Sequence, residues 1–287
     1  MGNYPDFVLY QRGTLSITVI RPLAEDSIVR MLADPDHLFA LPGCQIVKDQ
    51  RKIKIARIEV EIGGALKTVY LKRYNAFSWR YRLVSLFKSS GALRSWKGAG
   101  ILADSAIRTA RPLAAVDSRS WGMLNGSFFL SEEVKAGKTA DAYWRDNLLT
   151  LSGKEGIVKR RNFLQGLGEL FHCLHSKNVY HNDLKDANIL VSADAGAGAE
   201  QFFLLDLEGI RRYRKLNRRR RIKNLVQLNR TLGKYLRAAD KARFLKSYLG
   251  PAFTDRFEKR IRVGRVLNQS RKLDRLRNVT DSSRLAQ

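Results

Sequence analysis

The chain has 287 residues, enough for one two-lobed domain or two small ones, and its 44% hydrophobic content can fill a core. Its 53 Lys+Arg against 27 Asp+Glu give a net charge of +26 and a pI near 10.5, which favours anionic partners: nucleic acid, acidic lipid headgroups or phosphorylated glycans. The only cysteines, Cys44 and Cys173, exclude a disulfide framework or a paired-cysteine metal site, and no stretch approaches the ~18 apolar residues of a membrane span.

Met1 to Arg12 carries Asp6 and lacks an apolar core after a basic start, so a reducing, cytoplasmic setting is expected. Met1-Gly2-Asn3 has the outline of a myristoylation start, but Asp6 stands where Ser or Thr is required and the reading is set aside. Residues 14–20 alternate and are β-branched, which predicts a strand, and Glu25 to Leu32 has helical spacing before Asp34-Pro35-Asp36 ends it. These form an N-terminal extension, residues 1–43.

Residues 44–134 read as a sheet-rich lobe. Its first part is a meander: Gln45 to Lys48, Ile53 to Ile62, a Gly63-Gly64 turn, and Leu66 to Tyr74, which carries Lys72. The next stretch is basic and aromatic, with Arg73, Tyr74, Phe77, Trp79, Arg80, Tyr81, Arg82, Phe87, Lys88, Arg94, Trp96 and Lys97, and no Asp or Glu occurs between Glu61 and Asp104. Such a mixture suits an anionic membrane interface, a lipid-linked phosphorylated substrate or single-stranded nucleic acid, and equally suits packed aromatics among solvated cations. Leu93 to Asp104 is expected to be the helix under the sheet, with Arg111 to Val116 and Ser127 to Leu130 completing five strands.

Ser131 to Lys138 leaves the last strand as an exposed polar connection and reads as a hinge. Extended backbone there, at Glu132 and Val134, could hydrogen-bond an adenine edge without needing particular side chains. The second lobe, residues 135–287, opens with helices at Thr139 to Leu149 and Lys154 to Ser176. His172, Cys173, His175 and His181 are close in sequence, but Leu174 and the Lys177-Asn178 turn interrupt them, which argues against a zinc site.

The most informative stretch follows. His181-Asn182-Asp183-Leu184-Lys185-Asp186-Ala187-Asn188-Ile189-Leu190 matches the catalytic-loop pattern H-R-D-L-x-x-x-N except at the Arg. A turn with Asp194, Gly196 and Gly198 then leads to Phe202-Phe203-Leu204-Leu205-Asp206, an acid closing an apolar strand. An acid that accepts a hydroxyl proton must lie near the γ-phosphate, and an amide oxygen five residues later can reach a metal at the same phosphates. Mg2+ also needs a carboxylate, which Asp206 is placed to supply. Each residue alone would be an ordinary cap or surface charge. In this order they read as a phosphoryl-transfer site using ATP and Mg2+, with Asp183 catalytic and Asn188 and Asp206 metal ligands. Lys72 then takes the place of the strand lysine that grips the α/β-phosphates.

Two parts of that kit are absent. The first turn of the meander reads Lys48-Asp49-Gln50-Arg51-Lys52 in place of a glycine-rich loop, and no helix acid is available to pair with Lys72. Beyond Asp206 lie Leu207-Glu208-Gly209 and a basic run, Arg211 to Arg221, which either attracts an anionic acceptor or is simply solvated. Ile222 to Leu236 and Lys241 to Tyr248 are expected to be closing helices, and the tail from Arg256 is basic and weakly patterned, its last ten residues expected to be mobile.

Assembled, the chain resembles the lipopolysaccharide core kinases, which phosphorylate Kdo or heptose sugars of the inner core. The resemblance rests on Leu71-Lys72-Arg73-Tyr74, Arg108 to Ala114, Tyr180 to Leu190 and Leu205-Asp206-Leu207-Glu208-Gly209, and spans about residues 45 to 250. It implies an α+β, two-lobed protein-kinase-like fold, with an antiparallel N-lobe sheet plus helix and a mainly helical C-lobe. It implies Lys72 on ATP phosphates, Asp183 on the sugar hydroxyl, Lys185 beside the transferring phosphate, and Asn188 and Asp206 on Mg2+. No A-P-E segment follows Asp206, which argues against a peptide acceptor. The implied acceptor is an anionic glycolipid or phosphorylated sugar, met peripherally at the anionic inner face of the inner membrane, with nucleic acid the less favoured partner. A protein kinase or other small-molecule kinase of the same fold, and an inactive basic scaffold, remain open alternatives.

Overall fold

The computed structural model describes residues 6–76, 78–193 and 200–285. Two compact units emerge: residues up to Val134 together with Asp206–Ile210, and Lys135–Leu205 together with Arg211 onward.

The first unit is built on seven antiparallel strands: β1 (Phe7–Arg12), β2 (Leu15–Ile20), β3 (Gln45–Gln50), β4 (Ile53–Ile62), β5 (Ala65–Asn75), β6 (Pro112–Ser120) and β7 (Met123–Glu132). Their order in the sheet is β1-β2-β6-β7-β5-β4-β3. Five strands were expected here, with a further strand over residues 14–20 in the N-terminal extension. That strand, β2, joins the sheet beside β6 in the register Ile17 opposite Val116, and the additional strand β1 pairs with β2 as a hairpin. The Gly63-Gly64 turn forms as expected, both glycines at positive φ. Alternation along β2, β4 and β5 buries Ile17, Val19, Ile58, Val69 and Leu71, each stabilising the fold by roughly 1.5–3 kcal/mol relative to exposure.

A short helix α1 (Asp26–Met31) precedes the meander, and α2 (Trp79–Val84) and α3 (Gly91–Ala103) follow it. Ser90 caps α3 by accepting from Leu93 N–H at 3.0 Å. Trp96, Ala99 and Leu102 bury the helix's inner face. At Gly98 the helix touches the Leu207 carbonyl so closely that any Cβ would clash with it. The 206–210 segment is thereby held against α3.

The second unit holds a small antiparallel sheet of β8 (Lys138–Thr139), β10 (Ile189–Ser192) and β11 (Gln201–Leu204), ordered β11-β10-β8. The predicted hairpin is present, Ile189 opposite Leu204 and Ser192 opposite Gln201. Its turn, with Asp194, Gly196 and Gly198, lies outside the described residues, as does Phe77. The stretch expected as one helix from Thr139 is α4 (Ala140–Tyr143) continued by a π-helical segment, Trp144–Leu148. α5 (Gly153–Ser176) buries Phe163, Leu164, Leu167, Phe171 and Leu174 and leads to β9 (Val179–His181).

The closing helices are α6 (Arg218–Arg230) and α7 (Ala238–Leu249). The tail expected to be weakly patterned is instead a thirty-residue helix, α8 (Arg256–Leu285). It is tied to α6 by Arg230 on Asp274 at 2.8 Å and by Asn229 on Ser270 at 2.9 Å. These polar ties leave little hydrophobic periodicity to read. Among the described residues no helix is long and apolar enough to cross a membrane.

Candidate active site

In the second unit the loop after β9 brings Asp183, Lys185 and Asn188 together. Lys185 Nζ lies 2.7 Å from Asp183 Oδ2, and both side chains are about 40% exposed, so water screens the pair. Asn188 Nδ2 donates to the Asp183 carbonyl at 2.7 Å and to its Oδ2 at 3.2 Å. The loop closes on itself through Lys185 N–H to Asp183 O and Asn188 N–H to Lys185 O.

His181 fixes the loop's entry. Its Nε2 meets the Leu205 carbonyl at 2.7 Å, and its Nδ1 accepts from Asp183 N–H at 3.1 Å, a pattern that requires the neutral Nε2–H tautomer. The residue in first place in the motif is therefore an orienting group for the acid two positions on. Leu205 N–H in turn donates to Asn188 O at 2.9 Å.

Further support comes from α6, which the sequence reading missed. Asn224, fully buried, donates to the His181 carbonyl at 2.6 Å, and Gln227 donates to the Asn182 carbonyl at 2.7 Å while accepting from Leu184 N–H at 3.2 Å. The available signal was an Asn and a Gln three apart on an otherwise apolar helix face. Asp186 is buried and accepts from Ala187 N–H at 2.8 Å, and burial pushes its carboxyl up. It shapes the turn.

In the first unit Lys72 has the partner that the sequence did not reveal. Its Nζ lies 2.7 Å from Asp206 Oδ1 and 4.9 Å from the centroid of the Tyr74 ring. Asp206 adopts a left-handed backbone, φ 54°, which turns its carboxylate out of the strand direction. Glu208 follows two residues on and is held by Arg94 Nη2 at 2.8 Å. Arg94 projects from α3, the helix on which an acid was sought. The charges are inverted relative to that expectation: the helix carries the cation, and the acids near Lys72 come from Asp206 and Glu208.

Burial by itself lowers the Lys72 pKa, but Tyr74, Asp206 and Glu208 outweigh it and hold the ammonium well above its ordinary value. At neutral pH the two carboxylates do this, because burial pushes the Tyr74 phenol up to about 12 and keeps it neutral. Tyr74 OH meets Ser95 Oγ at 2.7 Å, fixing the ring beside the ammonium.

At the strand end proposed as a hinge, Glu132 N–H is committed to the Arg111 carbonyl at 2.9 Å, and the Glu132 carboxylate lies near Lys67 and Arg111. Glu133 forms a bidentate pair with Arg57, and Val134, half-buried, ends the unit. The turn that replaces a glycine-rich loop is tied down from β5: Asn75 Nδ2 donates to the Gln50 and Arg51 carbonyls at 3.3 and 3.2 Å.

The two histidines of α5 are bound to Tyr248 of α7. His172 Nδ1 meets the Tyr248 carbonyl at 2.8 Å, and His175 bridges Tyr248 OH and Asn224 Oδ1. Burial holds the His175 pKa down to about 4. Among the described residues no three His, Cys, Asp or Glu side chains form a preformed metal cage. Asn188 in the second unit and Asp206 in the first each carry a hard oxygen donor of the kind Mg2+ prefers. With Nδ2 committed to Asp183, the Asn188 amide oxygen faces the opposite side of the group.

No curated protein sequence matches this chain at a significant level. Among solved structures it is similar to "WaaP in complex with acyl carrier protein", with a TM-score of 0.63 and 18% identity over 87% of this chain and 97% of that one. That likeness carries the fold, a protein-kinase-like α+β architecture. The lipopolysaccharide kinase (Kdo/WaaP) family profile matches residues 45–248. The loop around Asp183, the Lys72–Asp206 pair and this match lead to one assignment: the chain belongs to the lipopolysaccharide kinase (Kdo/WaaP) family and is a phosphotransferase with an alcohol group as acceptor.

Proposed function

We propose that this enzyme transfers the γ-phosphoryl group of ATP to a hydroxyl of an inner-core sugar, Kdo or heptose, of lipopolysaccharide, working peripherally at the cytoplasmic face of the inner membrane. The observation that carries this reading is the Asp183 carboxylate on a loop locked by His181 and Asn188 and flanked by the Lys185 ammonium.

Asp183 aligns the sugar hydroxyl and takes its proton as the new O–P bond forms and the bond to the departing ADP oxygen breaks. Lys185 offsets charge on the transferring group, and Lys72 grips the nucleotide phosphates. Asn188 and Asp206 would hold Mg2+, which supplies charge neutralisation at the phosphate oxygens. The Glu132 carbonyl and the Val134 backbone take the adenine edge, the Glu132 N–H being committed to Arg111. Lys72 remains cationic at any physiological pH because Asp206 and Glu208 sustain it.

The scaffold alternative drew its support from a lysine without an acid. The pairing with Asp206 and the nearby Glu208 removes that support. A sugar acceptor is favoured over a peptide because no A-P-E segment follows Asp206 and because the +26 charge suits an anionic glycolipid. The complex named for the solved neighbour supports a protein partner in addition.

Transfer of labelled phosphate from ATP to core glycolipid tests the assignment. Asp183→Ala and Asp206→Ala are each expected to lower the rate by about a thousandfold or more. His172→Ala, at a residue whose Nδ1 meets the Tyr248 carbonyl, is expected to leave it nearly intact. Normal turnover by the Asp183 variant would overturn the mechanism, and phosphate appearing on casein in place of glycolipid would favour the protein-kinase alternative.

A further inference from the structure

Two segments of the first unit combine into one exposed surface. The first is α2 with the residues after it, Trp79 to Lys88; the second is the two-residue turn Trp121-Gly122 between β6 and β7. Three hydrogen bonds join the first segment to the β6–β7 hairpin: Arg119 Nη1 to the Ser85 carbonyl at 3.1 Å, Leu124 N–H to Ser85 Oγ at 2.8 Å, and Arg82 Nη2 to Asn125 Oδ1 at 2.6 Å; Arg119 Nη1 also holds the turn itself through the Gly122 carbonyl at 2.8 Å. A Cβ at Gly122 would lie 3.0 Å from Leu86 Cδ2, so the turn and the segment after α2 are in contact.

This surface exposes what a soluble face normally hides. Trp121 is 94% exposed, Phe87 91% and Trp79 67%, with Leu83, Val84 and Leu86 also open. Contiguous exposed apolar side chains of this size mark an interaction site. Trp121 also holds φ 54° beside Gly122 at φ 75°, the left-handed pair of a tight hairpin turn in which Asn, Asp or Gly is the favoured first residue. A bulky aromatic kept in a disfavoured conformation, with its ring in water, finds no reason in this unit's own packing.

The charges name the occupant. Arg80 and Lys88 are exposed within the patch, Arg80 stacking near the Trp79 ring, and no Asp or Glu occurs in residues 76–90 or 118–131. Aromatics projecting singly from a hairpin tip and a short helix, ringed by cations and free of acids, match the headgroup layer of an anionic bilayer. We propose that the surface formed by α2, Leu86, Phe87 and the Trp121 turn is where this chain docks on anionic phospholipid. The proposal rests on the reading above that the acceptor is membrane-held, and it assigns that contact to named residues of the first unit.

Flotation with phosphatidylcholine vesicles, with and without about a third phosphatidylglycerol, tests it. The intact chain is expected to float with the anionic vesicles, and Trp121→Gly combined with Phe87→Ser to reduce the bound fraction about tenfold. Glycine suits φ 54°, so the Trp121 change should keep or raise the melting temperature and exclude misfolding as the cause. The double variant is expected to phosphorylate detergent-dispersed glycolipid as the unmodified chain does, and Asp183→Ala to float normally. Undiminished flotation of the double variant overturns the proposal, as does loss of oligonucleotide binding with vesicle binding intact. Absence of transfer by the unmodified chain in detergent would instead count against the kinase reading and leave the docking result standing.

Discussion

The loop around Asp183 and the surroundings of Lys72 are organised by different physics. The loop is fastened by neutral groups: the His181 imidazole, the Asn188 amide, and Asn224 and Gln227 reaching from α6. Lys72 is one of four formal charges, with Asp206, Glu208 and Arg94. Neutral hydrogen bonds are short-ranged and directional, so the loop needs those residue types at those spacings. Charges act over several ångströms, so an acid can move from a helix to a strand end and still serve the lysine, provided a cation such as Arg94 fixes it in place. The first kind of site is specified by residue types at fixed spacings; the second is specified by the field it produces.

The largest effect should come from breaking the neutral wiring. Asn224→Ala strands the His181 carbonyl and removes the His175 contact, and is expected to cost about 2–3 kcal/mol in unfolding free energy and to lower kcat. The stability loss should be the same at low and high salt. A strong salt dependence in denaturant titrations would contradict the division into neutral and charged regions.

The charged region should respond less in stability and more in nucleotide handling. Arg94→Ala and Glu208→Gln are each expected to lower kcat/KM for ATP on the order of tenfold, and the double variant to be little worse than either, a coupling of about 1 kcal/mol. The pair is about a quarter exposed, so the effect should shrink in high salt. Strictly additive losses would show that Arg94 and Glu208 do not act as a unit.

The smallest effect concerns acid. Because the His175 pKa is lowered from 6.5 to about 4 by burial, the unfolded chain takes up its proton first as pH falls. The stability it contributes is therefore complete above pH 6.5 and lost progressively toward its folded value. By about pH 5.5 the loss should be about 1 kcal/mol. Urea titrations should find this slope flattened in His175→Gln, and an unchanged slope would remove His175 from the neutral network.

Much of the second unit's chemistry was legible because its residues are nearly contiguous: Asp183, Lys185 and Asn188 fall within six positions, and the hairpin to Leu204 declares itself by alternation. The meander β3 to β5 was readable for the same reason. The acid partner of Lys72 was not, because Asp206 lies 134 positions further along the chain and only the fold pairs them. Strand β1 was missed because Phe7–Arg12 is an edge strand with little burial to impose a pattern, and α8 because its ties to α6 are polar. Asn224 went unnoticed, although a buried amide on an apolar helix face is a misfit that could have signalled it.

The hairpin β1–β2 bears on how this enzyme can be trimmed. The family match begins at residue 45, and every residue assigned chemistry lies beyond it. Yet β2 is the strand that covers the flank of β6, whose residues from Pro112 to Asp117 are all buried. A chain cut at the family boundary would keep its catalytic side chains and expose an unpaired apolar strand edge, the template for edge-to-edge aggregation. Its failure would be one of solubility, easily misread as a loss of activity.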